Sequence, residues 1–395
     1  MLKKLLVSLL SAFLCISVVA EPESQLNGNQ NETDVKIDEN GDVFVAPLKY
    51  HISSDSTAEV IWDYSSYKKL ESVVIPSEIR VDGHVYSVTI IGEKAFSGCS
   101  GLTSIEIPSS VTSIEYGAFK ECSGLTSIKI PYGVTRIGER VFSYCDSLRN
   151  IEIPSSVTII GANAFNYCSG LTNINVAKDN QIYTSENGVL YNKDKTELIR
   201  VPDAMSGKFV VPSGVTRIYY YAFSECSGLT HIEIPSSVTS IGDDVFHGCS
   251  GLTSIKIPSS VTSIGNYAFN RCSGLRSIEI PSSVTSIGDG AFSGCSGLTN
   301  IKIPSGVTSI RSGAFSDCIK MKSMKIPSSV RSIGNKAFSG CSGLTSIEIP
   351  SSVTSIGFKA FMGCENLEIV IDNSKENVKV EWSAFDGCKS VKFLK

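Results

Sequence analysis

Twelve regularly spaced cysteines are the residues of this sequence best suited to covalent or metal chemistry. They are Cys99, Cys122, Cys145, Cys168, Cys226, Cys249, Cys272, Cys295, Cys318, Cys341, Cys364 and Cys388. Cys15 is a thirteenth cysteine outside this series. Disulfides are geometrically possible, because stacked parallel repeats place equivalent alpha carbons about 4.8 Å apart. We favour a ladder of buried thiols, since each side chain would point the same way and have two equivalent neighbours. A zinc site is disfavoured because tetrahedral sites use close pairs such as Cys-x₂-Cys.

The histidines and the charge balance give little support to catalysis or nucleic-acid binding. His51, His84, His231 and His247 lie in separate segments, and none belongs to a His-Glu-x-x-His, nucleophile-elbow or phosphate-loop pattern. Lys and Arg number 35 against 39 Asp and Glu, so the basic surface typical of nucleic-acid binding is missing. We expect a non-enzymatic protein with no catalytic, cofactor-binding or metal-binding residues.

The cysteines mark a repeating unit of 23 residues, and a phenylalanine precedes each of them by three positions, from Phe96 to Phe385. Within one unit, Ile347 and Ile349 are two residues apart, so they share one face of a predicted strand. Pro350 ends that strand, a second short extended piece follows, and a helical or 3₁₀ turn at the Ala-Phe pair closes the coil. Repeats of this kind stack into a solenoid, with a parallel β-sheet on one face and core residues inside.

The unit I-P-x-x-V-T-x-I-G-x-x-A-F-x-x-C-x-x-L-x-x-I resembles the BspA-like class of leucine-rich repeats, from about Val43 to Lys395. The segment Asn187 to Pro202 is similar to a variant unit of that family. This resemblance implies a leucine-rich-repeat solenoid, mainly β with short helical or 3₁₀ turns. It also implies an exported surface or secreted protein, and several members are adhesins that bind host matrix or other cells. No family binding residue can be carried over.

The chain divides into five predicted regions. Residues 1–20, with Lys3 and Lys4 before an apolar run and Ala20 at its end, predict a cleaved signal peptide. A disordered linker over 21–42 and a β-rich cap over 43–91 should precede the solenoid at 92–388, which carries about twelve Phe-x-x-Cys units. Residues 177–211 depart from the 23-residue period and predict a hairpin insertion, and 389–395 form the C-terminal end. We expect a secreted or cell-surface monomer without a transmembrane segment after signal cleavage.

Two sets of residues are candidates for a binding surface. Tyrosines are enriched in interfaces, and here they cluster before, within and after the insertion. The candidates, with one histidine in an exposed position, are Tyr144, Tyr167, Tyr183, Tyr191, Tyr219, Tyr220, Tyr221 and His231. The second set is a charge column between the strand isoleucines: Glu106, Lys129, Glu152, Glu233, Lys256, Glu279, Lys302, Lys325 and Glu348. Its mostly alternating signs are also explained without a ligand, as cross-strand pairs that set register and solubility.

These patterns predict recognition of an extracellular protein or glycan, most plausibly in adhesion. Two other classes stay open. One is a purely structural component of the cell envelope without a specific ligand, and the other is an enzyme whose site matches no known motif.

Overall fold

The computed structural model of the protein describes residues 35–395. The expected signal peptide and the first part of the expected linker lie outside these residues. Val35–Ile37 falls in the segment expected to be disordered, but it forms a strand that pairs antiparallel with Val43–Val45. The ordered structure therefore begins before the predicted boundary at Val43.

An N-terminal cap covers the first repeat. It consists of the strands Val35–Ile37, Val43–Val45, Leu48–Ser54, Thr57–Ile61, Ser72–Val74, Glu78–Val81 and His84–Ile91, with one short helix, Tyr64–Tyr67. The strand Thr57–Ile61 pairs antiparallel with Leu48–Ser54 and parallel with His84–Ile91, which pairs in turn with Ser113–Ile114 of the first repeat. The cap thus continues the sheet of the repeats and covers its open end.

Most repeats form a rung with two short parallel strands, as the unit predicts. We call the sheet built from the Ile-x-Ile strands the first face. After Ser72–Val74 it contains Ser104–Glu106, Asn150–Ile153, Asn173–Val176, Ser206–Val210, Gly228–Glu233, Ser254–Lys256, Ser277–Ile278, Asn300–Ile301, Ser323–Lys325, Ser346–Ile349, Glu368–Ile371 and Ser390–Phe393. Equivalent residues of neighbouring strands pair directly, as Ile347 does with Ile369, so their side chains meet in the core.

The second face is the sheet that follows the proline of each rung. Its strands are Ser113–Ile114, Arg136–Ile137, Ile159–Ile160, Arg217–Ile218, Ser240–Ile241, Ser263–Ile264, Ser286–Ile287, Ser309–Ile310, Ser332–Ile333, Ser355–Ile356 and Lys379–Val380. A 3₁₀ helix, Lys375–Asn377, precedes the last of them. Successive strands again pair parallel and in register, for example Ile264 with Ile287.

The third side of the rung, which we call the turn face, differs from the prediction of a helical or 3₁₀ turn. It is a run of β-turns. Every second N–H donates to a carbonyl of the same rung, and the N–H groups between them donate to carbonyls of the next rung. In the rung of Phe338, the bonds to the next rung are Lys336 to Phe358, Phe338 to Ala360 and Gly340 to Met362, at 2.8 to 2.9 Å. Two residues per rung have positive φ, here Lys336 at 54° and Gly340 at 74°. A helix would need continuous negative φ, so this ladder excludes it.

Phenylalanine rings stack along the core beneath the turn face. Phe269, Phe292 and Phe315 are fully buried, and their ring centroids are 5.2 and 5.6 Å apart with nearly parallel planes. The rings form two stacks, one from Tyr67 in the cap, 5.1 Å from Phe96, to Phe165, and one from Phe223 to Phe385. Offset-stacked rings at this spacing contribute about 0.5 to 1.5 kcal/mol per pair beyond their burial.

The cysteines form the expected ladder of free thiols, and the disulfide alternative is not found. From Cys122 onward, the Sγ of each regular rung lies against the phenylalanine carbonyl of the preceding rung, as in Cys249 to Phe223 at 3.0 Å and Cys272 to Phe246 at 3.1 Å. Cys226 follows the insertion and instead faces the Val201 carbonyl at 3.7 Å. The thiol therefore donates to a buried carbonyl, which explains why the repeat carries cysteine and not an apolar residue at this point.

Thiol reactivity should follow burial. Burial raises the pKa of Cys99 to about 11 and that of Cys295 to about 12, so the nucleophilic thiolate is scarce at neutral pH. We expect iodoacetamide at pH 8 to leave the native protein nearly unlabelled, with Cys388 reacting first because it is the one cysteine among residues 35–395 that is only partly buried. Mass spectrometry of the alkylated peptides measures this order. Rapid labelling of Cys272, which is fully buried, would contradict it.

The insertion divides the solenoid into two cores. Its strands are Tyr183–Glu186, Val189–Asn192 and Glu197–Arg200, which pair antiparallel as predicted. In the middle strand, Leu190 packs into the N-terminal core while Val189 and Tyr191 pack into the C-terminal core. Both faces of this strand are therefore buried, and we call residues 177–211 the partition unit.

Candidate binding cleft

The partition unit lacks the Phe-x-x-Cys pair, and its turn is shorter than that of the other rungs. Leu198 pairs with Ile218 on the second face. The Val201 N–H donates to the Ala222 carbonyl, so Val201 stands where other rungs have the phenylalanine. Two residues separate Leu198 from Val201, whereas four separate Ile218 from Phe223. The turn of this unit is thus two residues too short to fill its place in the turn face.

A cleft of about 400 Å³ opens where these two residues are missing. It lies between the rung of Phe165 and the rung of Phe223, with the partition unit at its base. The lining residues are Ile160, Gly161, Ala162, Asn163, Ala164, Phe165, Asn166, Leu190, Ile199, Arg200, Tyr219, Tyr220, Tyr221, Asp243 and Asp244. A mostly apolar cavity of this volume with a few polar groups is typical of a ligand site.

A buried ion pair forms the base of the cleft. Arg200 contacts Asp203, and the side chains of both are almost fully buried, at 5% and 1% exposure. The Arg200 guanidinium also donates to the carbonyls of Tyr221, Phe165 and Ser224. Burial raises the pKa of Asp203 to about 6, although Arg200 opposes that shift. In regular rungs a cysteine thiol donates to the phenylalanine carbonyl of the preceding rung, and here Arg200 donates to that of Phe165 instead. Because Arg200 also bonds to Ser224, it joins the two halves of the solenoid.

Tyrosines stand beside the cleft in a strained backbone conformation. Tyr144 and Tyr167 stack with their centroids 4.5 Å apart and their planes 2° apart. Their φ angles are 64° and 60°, and Tyr221 has a φ of 58°. The position of Tyr144 and Tyr167 is glycine in half of the Phe-x-x-Cys rungs: Gly98, Gly248, Gly294, Gly340, Gly363 and Gly387. A left-handed conformation costs a residue with a side chain about 1 to 2 kcal/mol.

Charged groups surround this tyrosine cluster. Burial and then the Asp244 carboxylate raise the pKa of Tyr221 to about 12, and both residues line the cleft. Burial also raises the pKa of Tyr167, with smaller effects from Tyr144 and from Glu225. The cluster therefore combines aromatic surface with acidic groups that can pair with polar atoms of a ligand.

The structure brings five of the eight predicted contact residues to this region. Tyr219, Tyr220 and Tyr221 line the cleft. Tyr167 follows the lining residue Asn166, and Tyr144 stacks on Tyr167 from the preceding rung, where it lines a separate groove. Tyr183 is half-buried, and its hydroxyl accepts a hydrogen bond from the Ile160 N–H at 3.1 Å.

Tyr191 and His231 lie elsewhere. Tyr191 is 2% exposed and belongs to the core, because both sides of its strand are covered; its assignment to the contact surface was wrong. His231 lies on the first face, hydrogen-bonded to Ser254 at 2.8 Å.

The charge column lies on the first face, as the repeat predicts. Glu233 is paired in register with Lys256, and Lys325 with Glu348, so opposite charges are neighbours. Among the column members in residues 35–395, only Glu233 makes a lysine or arginine ion pair within 4.0 Å, and its partner is Lys208, which is outside the column. The column's role in register or in binding stays a prediction.

Several cleft residues carry no signal in the sequence. Asn163, Asn166 and Asp243 occupy positions where residue type varies freely from rung to rung, so composition does not single them out. Arg200 and Asp203 did carry a signal, because they stand where the period lacks its phenylalanine and cysteine. No group of three or more potential metal-binding side chains is present within the described part of the chain.

The fold and the repeat define a leucine-rich-repeat solenoid. The family model for the BspA type leucine-rich repeat region matches residues 64–197, 205–320 and 271–392, in six copies. The chain belongs to this family.

Solved structures agree with that assignment. A leucine-rich repeat protein from Eubacterium ventriosum is 30% identical, with a TM-score of 0.68, over 81% of this chain and 93% of that chain. The pneumococcal vaccine antigen PcpA is 20% identical over 90% of this chain and 98% of its own, with a TM-score of 0.57, and shows the shared fold. No curated protein matches the chain. Across residues 35–395, no helix is long and apolar enough to cross a membrane.

Proposed function

We propose that this protein is an exported, cell-surface binding protein that recognises an extracellular protein or glycan through the cleft and its flanking tyrosines. The observation that carries the proposal is the stacked pair Tyr144 and Tyr167, held at positive φ on the two rungs that lead into the cleft. The predicted signal peptide at 1–20 and the family's exported members support its location.

The energetics of this pair favour a role beyond folding. Two left-handed tyrosines cost about 2 to 4 kcal/mol relative to glycine, while their mutual stacking contributes only about 0.5 to 1.5 kcal/mol. Glycine adopts the same left-handed conformation at this position in other rungs, with a φ of 71° at both Gly248 and Gly294. Tyr144 is 40% exposed and Tyr220 is 58% exposed, so both offer aromatic area to a partner.

The double variant Tyr144→Gly/Tyr167→Gly should therefore lose binding without losing stability. We expect its free energy of unfolding to stay within about 1 kcal/mol of wild type, because relief of strain offsets the lost stacking and burial. Binding of the purified chain to extracellular-matrix proteins and to whole cells should fall sharply. Chemical denaturation and a plate-binding assay measure the two quantities.

The matched control is Tyr132→Ala, which removes a 70% exposed tyrosine that does not line the cleft. It should bind as wild type does. Unchanged binding by the folded Tyr144→Gly/Tyr167→Gly variant would reject the tyrosine cluster as the contact surface. If wild type binds neither matrix nor cells, the structural role considered above is favoured instead.

A further inference from the structure

The turn-face ladder of hydrogen bonds is broken on one side of the cleft. In the rung before it, the N–H groups of Arg140, Phe142 and Tyr144 donate to the carbonyls of the following rung at 2.8 to 3.1 Å. The equivalent donors of that following rung are the N–H groups of Asn163, Phe165 and Tyr167. None of these three has a hydrogen-bond partner within residues 35–395.

The shortened partition unit provides no carbonyl that pairs with these three N–H groups. Asn163 and Phe165 line the cleft, and Phe165 is only 2% exposed, so its N–H has little access to bulk water. Buried N–H groups are almost always paired in folded proteins, and an unpaired one is costly. This wall of the cleft therefore presents alternate backbone donors that require an acceptor.

The opposite wall of the cleft has a backbone carbonyl without a donor. The carbonyls of Tyr220, Ala222 and Ser224 correspond to those that accept bonds from a preceding rung. Val201 donates to Ala222 and Arg200 to Ser224, whereas the Tyr220 carbonyl has no donor in the described chain. The cleft thus has unpaired donors on one side and an unpaired acceptor on the other. This is the arrangement that removal of one turn from the ladder would leave.

We propose that the cleft binds an extended peptide segment of the extracellular partner, which completes the broken ladder in place of the missing turn. An extended chain presents carbonyl groups of alternate residues along one edge, which matches the alternate donors of Asn163, Phe165 and Tyr167. Its other edge presents N–H groups toward the Tyr220 carbonyl. This inference rests on the proposed function and narrows the partner from protein or glycan to peptide.

The lining favours a segment with an apolar side chain. Ile160, Leu190 and Ile199 surround the space between the two walls together with the tyrosine rings. A sugar would place hydroxyl groups against these aliphatic side chains and would leave the row of N–H groups only irregularly paired. A peptide residue such as leucine or phenylalanine fills the apolar part while its backbone bonds to the walls.

The test uses a phage-displayed library of random linear peptides, selected on the wild-type chain. The blocking variant is Ala162→Trp, because Ala162 lines the cleft and the same position of other rungs already holds Phe358 and Trp382. The matched control is Ser312→Trp, at the same position of an uninterrupted rung. We expect selected peptides rich in apolar residues, with a Kd weakened at least about tenfold by Ala162→Trp and unchanged by Ser312→Trp.

Amide hydrogen exchange separates this mode from simple side-chain contact. A bound peptide should slow exchange at Asn163, Phe165 and Tyr167, and Ala162→Trp should abolish that protection. Selected peptides that bind both tryptophan variants equally, or leave these amides unprotected, would overturn the proposal. Failure to select any peptide, while matrix or cell binding still depends on Tyr144 and Tyr167, would overturn the peptide inference and leave the proposed function standing.

Discussion

Replacement of Arg200 by methionine should lower the free energy of unfolding by about 3 to 5 kcal/mol, the largest effect we expect from a single polar substitution. The change leaves the Asp203 carboxylate buried without its partner, and it removes the donor from the carbonyls of Phe165, Tyr221 and Ser224. Because Arg200 joins the two cores, the variant should also separate their unfolding. Chemical denaturation followed by circular dichroism should show a broader or two-step transition.

Two further variants make this expectation specific. Arg217→Met removes an exposed ion pair with Glu197 at 3.4 Å and should cost less than about 1 kcal/mol. Arg200→Met/Asp203→Leu removes both buried charges and should recover part of the loss, because no carboxylate is left unpaired. A loss for Arg200→Met no larger than that for Arg217→Met would show that the buried pair does not hold the halves together.

Replacement of Phe292 by alanine should cost about 3 to 5 kcal/mol. Its ring is fully buried between Phe269 and Phe315, so its removal leaves a cavity and breaks two stacked contacts at once. The neighbouring rungs cannot close around the cavity, because their backbones are fixed by the hydrogen bonds of the turn face. Urea denaturation monitored by circular dichroism measures the change.

The comparison for Phe292 is Phe385→Ala in the last rung. Phe385 is only half-buried and has one stacking neighbour, Phe361, at 6.0 Å. We expect a loss of about 1 to 2 kcal/mol for this variant, since less apolar area leaves the core. Equal losses at the two positions would mean that the phenylalanine stack contributes no more in the middle of the solenoid than at its end.

The two strand faces and the thiol ladder were predictable because they depend on residue type alone. Each Ile-x-Ile pair and each cysteine recurs at 23 residues, so packing one rung determines the packing of the others. The turn face was not predictable in the same way. Its left-handed position before the cysteine holds glycine in some rungs but Tyr144, Glu225 or Arg271 in others, so the sequence signal for positive φ is irregular.

The cleft could not be predicted from the sequence, because it depends on the pairing register of distant strands, which a local pattern does not contain. The hairpin could be predicted from its alternating residues, but the pairing of Leu198 with Ile218 determines that its turn is short. Tyr191 illustrates the same limit, since alternation predicts one buried face, whereas both faces of its strand are covered. The flanking tyrosines were found because their clustering is visible without that register.

The division into two cores also bears on how the length of this protein can change. A regular rung meets its neighbours through the same contacts on both sides, so inserting or deleting one whole 23-residue unit restores every hydrogen bond and every ring stack. The partition unit has no such freedom, because Leu190 and Tyr191 serve different cores and Arg200 bonds to rungs on both sides. Repeats can therefore be gained or lost in either half while the cleft keeps its shape, and only its distance from each end of the molecule changes.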